Sequence, residues 1–120
     1  MARILLADDD KATRDLVRRA LEADGHSVLV TQDGNEALEQ LKEGGQQFDV
    51  IVTDVEMPML DGIALAERAY PLQPKVRILL MSGFAEQLDR AKELKAPHVG
   101  VLSKPFTLDQ VRERVRKLLA

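Results

Sequence analysis

Five short apolar runs, each followed by a stretch with helical spacing, constrain this chain more than any other feature. The runs are "RILLA" (Arg3 to Ala7), "SVLVT" (Ser27 to Thr31), "DVIVTD" (Asp49 to Asp54), "RILLMS" (Arg77 to Ser82) and "VGVLS" (Val99 to Ser103). Several lack the polar alternation of a strand that is wet on one face. They read as parallel strands covered on both faces. Between them, Leu16, Val17, Ala20 and Leu21 form one apolar stripe, stopped by Gly25. Ala37, Leu38 and Leu41 form a second, ended by Gly44-Gly45. Ile63, Leu65 and Ala66 mark a third after the Asp61-Gly62 turn. Phe84 to Lys95, with Leu88, Ala91 and Leu94 at helical spacing before Pro97, is a fourth with a thin apolar face. Thr107 and Gln110 are spaced as a capping box for the fifth, which is expected to bury Leu108, Val111, Val115 and Leu118.

Five such units predict an α/β fold, a doubly wound parallel sheet with right-handed crossovers and helices on both faces. A chain of 120 residues is the size of one domain, taken as residues 1–120. Aromatic residues make up only 3%, so Leu, Val, Ile, Ala and Met must build the core. A net charge of -3 gives no electrostatic case for nucleic acid. With no Cys, disulfides and thiolate metal sites are excluded, which is compatible with a reducing compartment. The apolar run after Met1 is too short for a signal peptide or a bilayer span, so the expectation is a soluble cytoplasmic chain.

In parallel sheets of this kind, ligands bind outside the carboxyl ends of the strands. Asp8 and Asp9 follow the first strand, and Asp54 ends the third. Ser82 and Gly83 end the fourth, and Lys104 and Pro105 follow the fifth. In the flavodoxin-like order 2-1-3-4-5, these residues converge. Each has a plain alternative. Asp9 or Asp10 can cap the first helix, Ser82 can satisfy nearby backbone, and Lys104 can be a solvated surface charge. His26 and His98 lack partners at telling spacing and read as structural. What counts is joint occurrence on one sheet edge. The "DDD" run at Asp8 to Asp10 also needs an explanation. Two unit charges about 4 Å apart repel by roughly 1 kcal/mol in water and about 4 kcal/mol near a protein surface.

The segments "ADD" (Ala7 to Asp9), "TDVEMPMLDG" (Thr53 to Gly62), "MSG" (Met81 to Gly83) and "LSKPF" (Leu102 to Phe106) stand in the order found in response-regulator receiver domains. The sequence resembles that CheY-like family over essentially its whole length. The resemblance implies Asp54 as phosphoryl acceptor. It implies Mg²⁺ held by Asp9, Asp54 and the backbone carbonyl of Glu56, with Asp8 acting through water. Hard carboxylate and carbonyl oxygens suit that ion. Lys104 is then expected to pair with one phosphoryl oxygen, and Ser82 with the Gly83 N–H to take another. The Lys104-Pro105 peptide is expected to be cis, aiming the lysine into the site. Gly62 is expected to adopt backbone angles closed to other residues. The implied role is regulatory: the chain accepts a phosphoryl group, acts on no external substrate, and signals through a change of conformer.

Two positions depart from the commonest pattern. Ser82 stands where many relatives have Thr, and Val101 where many carry a Tyr or Phe that rotates on activation. Without that aromatic, the face carrying Phe84, Val101 and Phe106 is the expected route of conformational coupling. Haloacid-dehalogenase phosphatases combine similar groups, but their nucleophile comes first and their acidic pair last, the reverse of this order. Within receivers, "RILLADDD", "MSGFA" and "VLSKPFTL" are similar to CpdR-type single-domain regulators. That likeness implies a monomeric adaptor for the ClpXP protease in cell-cycle control, supplied with phosphoryl groups by a histidine kinase or histidine phosphotransferase. The alternatives are another stand-alone receiver, such as a phosphorelay shuttle or motor-binding regulator, or a receiver cut from a longer transcription factor.

Overall fold

The computed structural model describes residues 2–43, 47–94, 96 and 98–120. Five strands alternate with five helices: β1 (Arg3–Ala7), α1 (Lys11–Ala23), β2 (Ser27–Thr31), α2 (Gly34–Lys42), β3 (Val50–Asp54), α3 (Gly62–Leu72), β4 (Arg77–Ser82), α4 (Ala85–Lys92), β5 (Val99–Ser103) and α5 (Leu108–Leu119). All neighbouring strands are parallel, in the order β2-β1-β3-β4-β5. The register pairs Ala7 with Thr53 and Asp54 with Met81. The carboxyl ends of β1, β3 and β4 are thereby level, and the residues that follow them share one edge.

Strand side chains alternate between two cores. Leu5, Ala7, Ile51, Ile78 and Leu80 pack with the apolar faces of α2 and α3 and with Ala91 of α4. Ile4, Leu6, Val50, Val52, Leu79 and Met81 pack with Val17, Leu21, Val111 and Val115 of α1 and α5. Both faces of the central strands are fully covered, which accounts for their unbroken apolar sequence. Each buried Leu, Ile, Val or Met among them stabilises the fold by roughly 1.5–3 kcal/mol relative to exposure. The helices are held unequally. Of the eight residues of α4, Ala91 alone is buried.

Asp10, Asp33, Asp61 and Thr107 cap α1, α2, α3 and α5 through their side chains, and Thr107 with Gln110 completes the expected capping box. Gly25 follows α1 at φ 90°, a conformation open to glycine at little cost. The Lys104–Pro105 peptide is cis. Pro71 lies in the last turn of α3, which ends at Leu72.

Several details differ from the sequence expectations. Leu16 is 50% exposed, because the α1 stripe turns inward at Val17, Ala20 and Leu21. The third strand begins at Val50. Helix α4 is shorter than expected, with Phe84 as its N-cap and Glu93 as its C-cap. Lys95, Pro97 and the Gly44-Gly45 stop lie outside the described residues, and α2 closes at Lys42 with Glu43 as its cap. Phe84, Val101 and Phe106 do not share a face. Val101 packs on the α2–α3 side of the sheet, Phe106 packs on the α1–α5 side, and Phe84 is 56% exposed.

Gly62 is also not where left-handed backbone is needed. The positive φ in its loop belongs to Met59, at 70°. What requires glycine at position 62 is close approach. A Cβ there would lie 2.3 Å from the carbonyl oxygen of Asp54, and the Gly62 N–H donates to the Val55 carbonyl at 2.9 Å. The start of α3 is thus pressed against the end of β3. Gly62→Ala is expected to destabilise the protein by about 2–3 kcal/mol, since the atom it meets is backbone and cannot rotate away. Urea denaturation of the variant measures this, and a loss under about 0.5 kcal/mol, the usual range for a surface change, contradicts it.

Candidate functional site

The three adjacent aspartates after β1 have three separate fates. Asp10 turns to the helix: its carboxylate accepts from the Thr13 N–H at 3.3 Å and the Thr13 hydroxyl at 2.5 Å. These bonds, the hydroxyl first, hold its carboxyl below the usual range. Asp8 is fully buried. One of its oxygens accepts the Asp10 N–H at 2.9 Å, and the other has no partner. Asp9 is exposed at the rim. The charge run is therefore one helix cap and one acidic pair.

Asp54 completes the cluster. It is 5% exposed at the end of β3, and carboxylate oxygens of Asp8, Asp9 and Asp54 lie within 4.8 Å of one another. Burial raises the Asp8 carboxyl to about 6. It also raises Asp54, opposed chiefly by Lys104 and helped by Asp9. The Lys104 Nζ lies 3.0 Å from Asp54 Oδ1. The lysine comes from the end of β5 and is steadied there by its backbone N–H, which donates to the Ser82 carbonyl at 2.7 Å.

Ser82 is buried at the end of β4, on the expected edge, but its hydroxyl is engaged elsewhere. It donates to Gln87 Oε1 of α4 at 2.5 Å, lies 3.3 Å from the Phe84 carbonyl, and accepts the Phe84 N–H at 3.2 Å. Gly83 is exposed, and a Cβ there would make only ordinary contact with Lys104. The Glu56 N–H is hydrogen-bonded to the Asp54 carboxylate. His26 and His98 are remote from this edge by hydrogen bonding. His26 Nδ1 accepts the Ala2 N–H at 3.2 Å, and the His98 carbonyl accepts the Ile78 N–H at 3.0 Å, both at the amino ends of the strands.

Two contributors carry no mark in the sequence. Arg14 reaches back from α1 and donates to the Asp8 carbonyl at 2.9 Å, bracing the loop that carries the acidic pair. Gln87 holds Ser82. Their spacings, six and five residues, carry no distinctive signal. Beside the site, Leu16, Val17, Phe106 and Leu108 line an apolar groove of about 640 Å³ between α1 and α5 that reaches Lys104.

The donor set fits a hard divalent cation. It offers three carboxylates on one edge, an unpartnered buried Asp8 oxygen and a cluster open to solvent at Asp9. A cation there offsets both the mutual repulsion and the burial cost that push Asp8 and Asp54 upward.

A parallel sheet in this order, with an acidic cluster and a lysine at its carboxyl edge, defines a phosphoacceptor module of the receiver type. Residues 4–116 match the family described as the response regulator receiver domain, and the chain belongs to it. It is 38% identical to the response regulator receiver protein CpdR of Brucella abortus, over 99% of this chain and 98% of that protein. It is 37% identical to the sensor kinase CckA of the same organism, over 98% of this chain and 12% of the kinase. It spans half the length of the response regulator MprA of Mycolicibacterium vanbaalenii, at 37% identity. Among solved structures, a response regulator receiver protein from Sinorhizobium medicae is similar, with a TM-score of 0.88 and 34% identity over 98% of this chain and 94% of that one. Receiver domains are regulatory modules of two-component systems that work with a histidine kinase or phosphotransfer partner and bind Mg²⁺ at an acidic cluster. Among the described residues, no helix is long and apolar enough to cross a membrane.

Proposed function

We propose that Asp54 accepts a phosphoryl group from a histidine kinase or histidine phosphotransferase, and that the modification switches partner binding by a single receiver unit spanning residues 1–120, acting in the cytoplasm as a monomer. The observation that carries this reading is Lys104 Nζ at 3.0 Å from the buried carboxylate of Asp54, beside Asp8 and Asp9. Phosphoryl transfer needs little beyond positioning and charge neutralisation. An Asp54 carboxylate oxygen attacks phosphorus in line, the P–N bond to the donor histidine breaks, and the imidazole leaves with its electron pair and takes up a proton. Asp8, Asp9, Asp54 and the Glu56 carbonyl would hold Mg²⁺, Asp8 through water. When bound, the ion supplies the positive charge that an anionic pocket needs to admit an anionic donor. Lys104 exchanges its ion pair with Asp54 for a phosphoryl oxygen. Ser82 and the Gly83 N–H receive another. The apolar groove beside Lys104 supplies a surface for the donor protein, with half-exposed Leu16 at its wall.

The output reading is narrower. Likeness to CpdR over nearly the full length of both chains supports a phosphorylation-controlled adaptor for the ClpXP protease, active when unphosphorylated. The test is binding to the purified N-terminal domain of ClpX, with and without beryllofluoride and Mg²⁺. The unmodified protein is expected to bind, and the beryllofluoride form to bind at least about fivefold more weakly. That corresponds to a coupling of about 1 kcal/mol, the lower end for allosteric sites. Absence of binding in both states overturns the adaptor reading and leaves the receiver assignment intact.

A further inference from the structure

We infer that Gln87 is a positioning residue that latches Ser82 to helix α4, so that phosphorylation at Asp54 is transmitted by breaking one hydrogen bond. This rests on the reading of Asp54 as acceptor and Ser82 as donor to a phosphoryl oxygen. A serine hydroxyl has one proton to donate. Two acceptors lie within reach of that proton, Gln87 Oε1 at 2.5 Å and the Phe84 carbonyl at 3.3 Å, and the shorter contact gives it to Gln87, while the hydroxyl oxygen accepts the Phe84 N–H at 3.2 Å. Ser82 is 1% exposed, so solvent does not compete for it. Donation to a phosphoryl oxygen and donation to Gln87 exclude each other.

The consequence falls on α4, because Ser82 does the work of a missing cap. Four helices have a capping side chain at their N-cap, whereas Phe84, the N-cap of α4, makes none. The first turn of α4 is instead tied down by Ser82, through the Phe84 N–H on one side and the Gln87 side chain on the other. Among the described residues, the other anchors of this helix are few. Ala91 is its one buried residue, and Arg90 makes an exposed ion pair with Asp61 at 3.1 Å. Turning Ser82 toward Asp54 therefore releases the least anchored helix on the sheet. The device needs no aromatic at position 101, where this chain has Val101.

The test is a beryllofluoride titration with Mg²⁺, followed by backbone amide shifts, on the wild type, Gln87→Met, Gln87→Glu, Ser82→Ala and the double variant Ser82→Ala/Gln87→Met. Methionine keeps the length of the side chain and removes the acceptor. Half-saturation is expected to fall roughly three- to tenfold in Gln87→Met, the worth of one hydrogen bond lost from the unmodified state. Glutamate keeps the acceptor, so Gln87→Glu should saturate at or above the wild-type concentration. In the Ser82→Ala background, Gln87→Met should have no effect. An unchanged or raised half-saturation in Gln87→Met, a Gln87→Glu that behaves like Gln87→Met, or an equal shift without Ser82 each overturn the latch. Should the wild type fail to bind beryllofluoride, the acceptor reading fails, and hydrogen exchange of the Phe84–Leu88 amides in the free protein decides the latch by itself. Gln87→Met and Ser82→Ala should each accelerate that exchange, and their effects should not add. Unchanged exchange overturns it.

Discussion

Asp54→Ala should take up no phosphoryl group from acetyl phosphate in Mg²⁺, where the native protein takes up one per chain. The expected loss of rate exceeds about a hundredfold, because positioning and neutralisation supply most of the catalysis of phosphoryl transfer and both are built around this carboxylate. Three carboxylates share the pocket, so the choice among them needs a reason. Asp8 is buried, with its carboxyl at about 6 and one oxygen already bonded to the Asp10 N–H. Asp9 stands exposed at the rim. Of the three, Asp54 is the one ion-paired with the ammonium group that can follow a transferred charge, with Lys104 Nζ at 3.0 Å. It also receives the Glu56 N–H. Asp54→Asn, which keeps the shape and loses the nucleophile, should fail equally. Intact-mass measurement after incubation with donor reads both. Labelling of Asp54→Ala at the native rate would falsify the assignment.

The strands and the edge they end on were legible because a strand buried on both faces leaves little freedom in its sequence. "RILLA" and "DVIVTD" could hardly be anything else once five such runs alternate with helical spacing. The carboxyl-edge rule then turned Asp8, Asp9, Asp54, Ser82 and Lys104 into neighbours without any coordinates. What escaped depends on contacts between segments far apart in the chain. Gly62 reads as a flexible turn residue, yet its cause is the Asp54 carbonyl 2.3 Å from where a Cβ would sit. Val101 and Phe106 are five residues apart and look like one patch, but the sheet passes between them. Gln87 lies on a helix whose apolar spacing is thin, and no periodicity marks a side chain that reaches back to a strand end. The division of Asp8, Asp9 and Asp10 was only partly legible. A cap was expected from the run, but that Asp10 takes it depends on where α1 begins, at Lys11.

Asp8→Asn should make the metal-free protein more stable at pH 7.5 and flatten its dependence on pH. The folded state holds the Asp8 carboxyl at about 6, above its ordinary 3.8, because burial disfavours the charge. Between those values the folded protein keeps a proton that the unfolded chain has released. Stability from this group is therefore complete below about pH 4 and lost as pH rises through 6. The shift corresponds to about 3 kcal/mol at neutral pH. Asparagine has no proton to lose, and its amide can donate to the neighbouring carboxylates of Asp9 and Asp54. The variant should accordingly gain about 2–3 kcal/mol over the wild type at pH 7.5 in EDTA and nothing at pH 4. Asp54, also raised by burial, leaves a residual slope of the same sign in both proteins. Mg²⁺ should reverse the order. A ligand that binds only the folded state stabilises it by mass action, and the wild type should gain far more from the ion than a variant lacking the Asp8 charge. Urea denaturation across pH 4–8, with EDTA and with Mg²⁺, reads both effects. Equal stabilities at pH 7.5 without metal would mean that burial does not strain the Asp8 charge, and equal gains from Mg²⁺ in the two proteins would mean that this carboxylate is not kept for a cation.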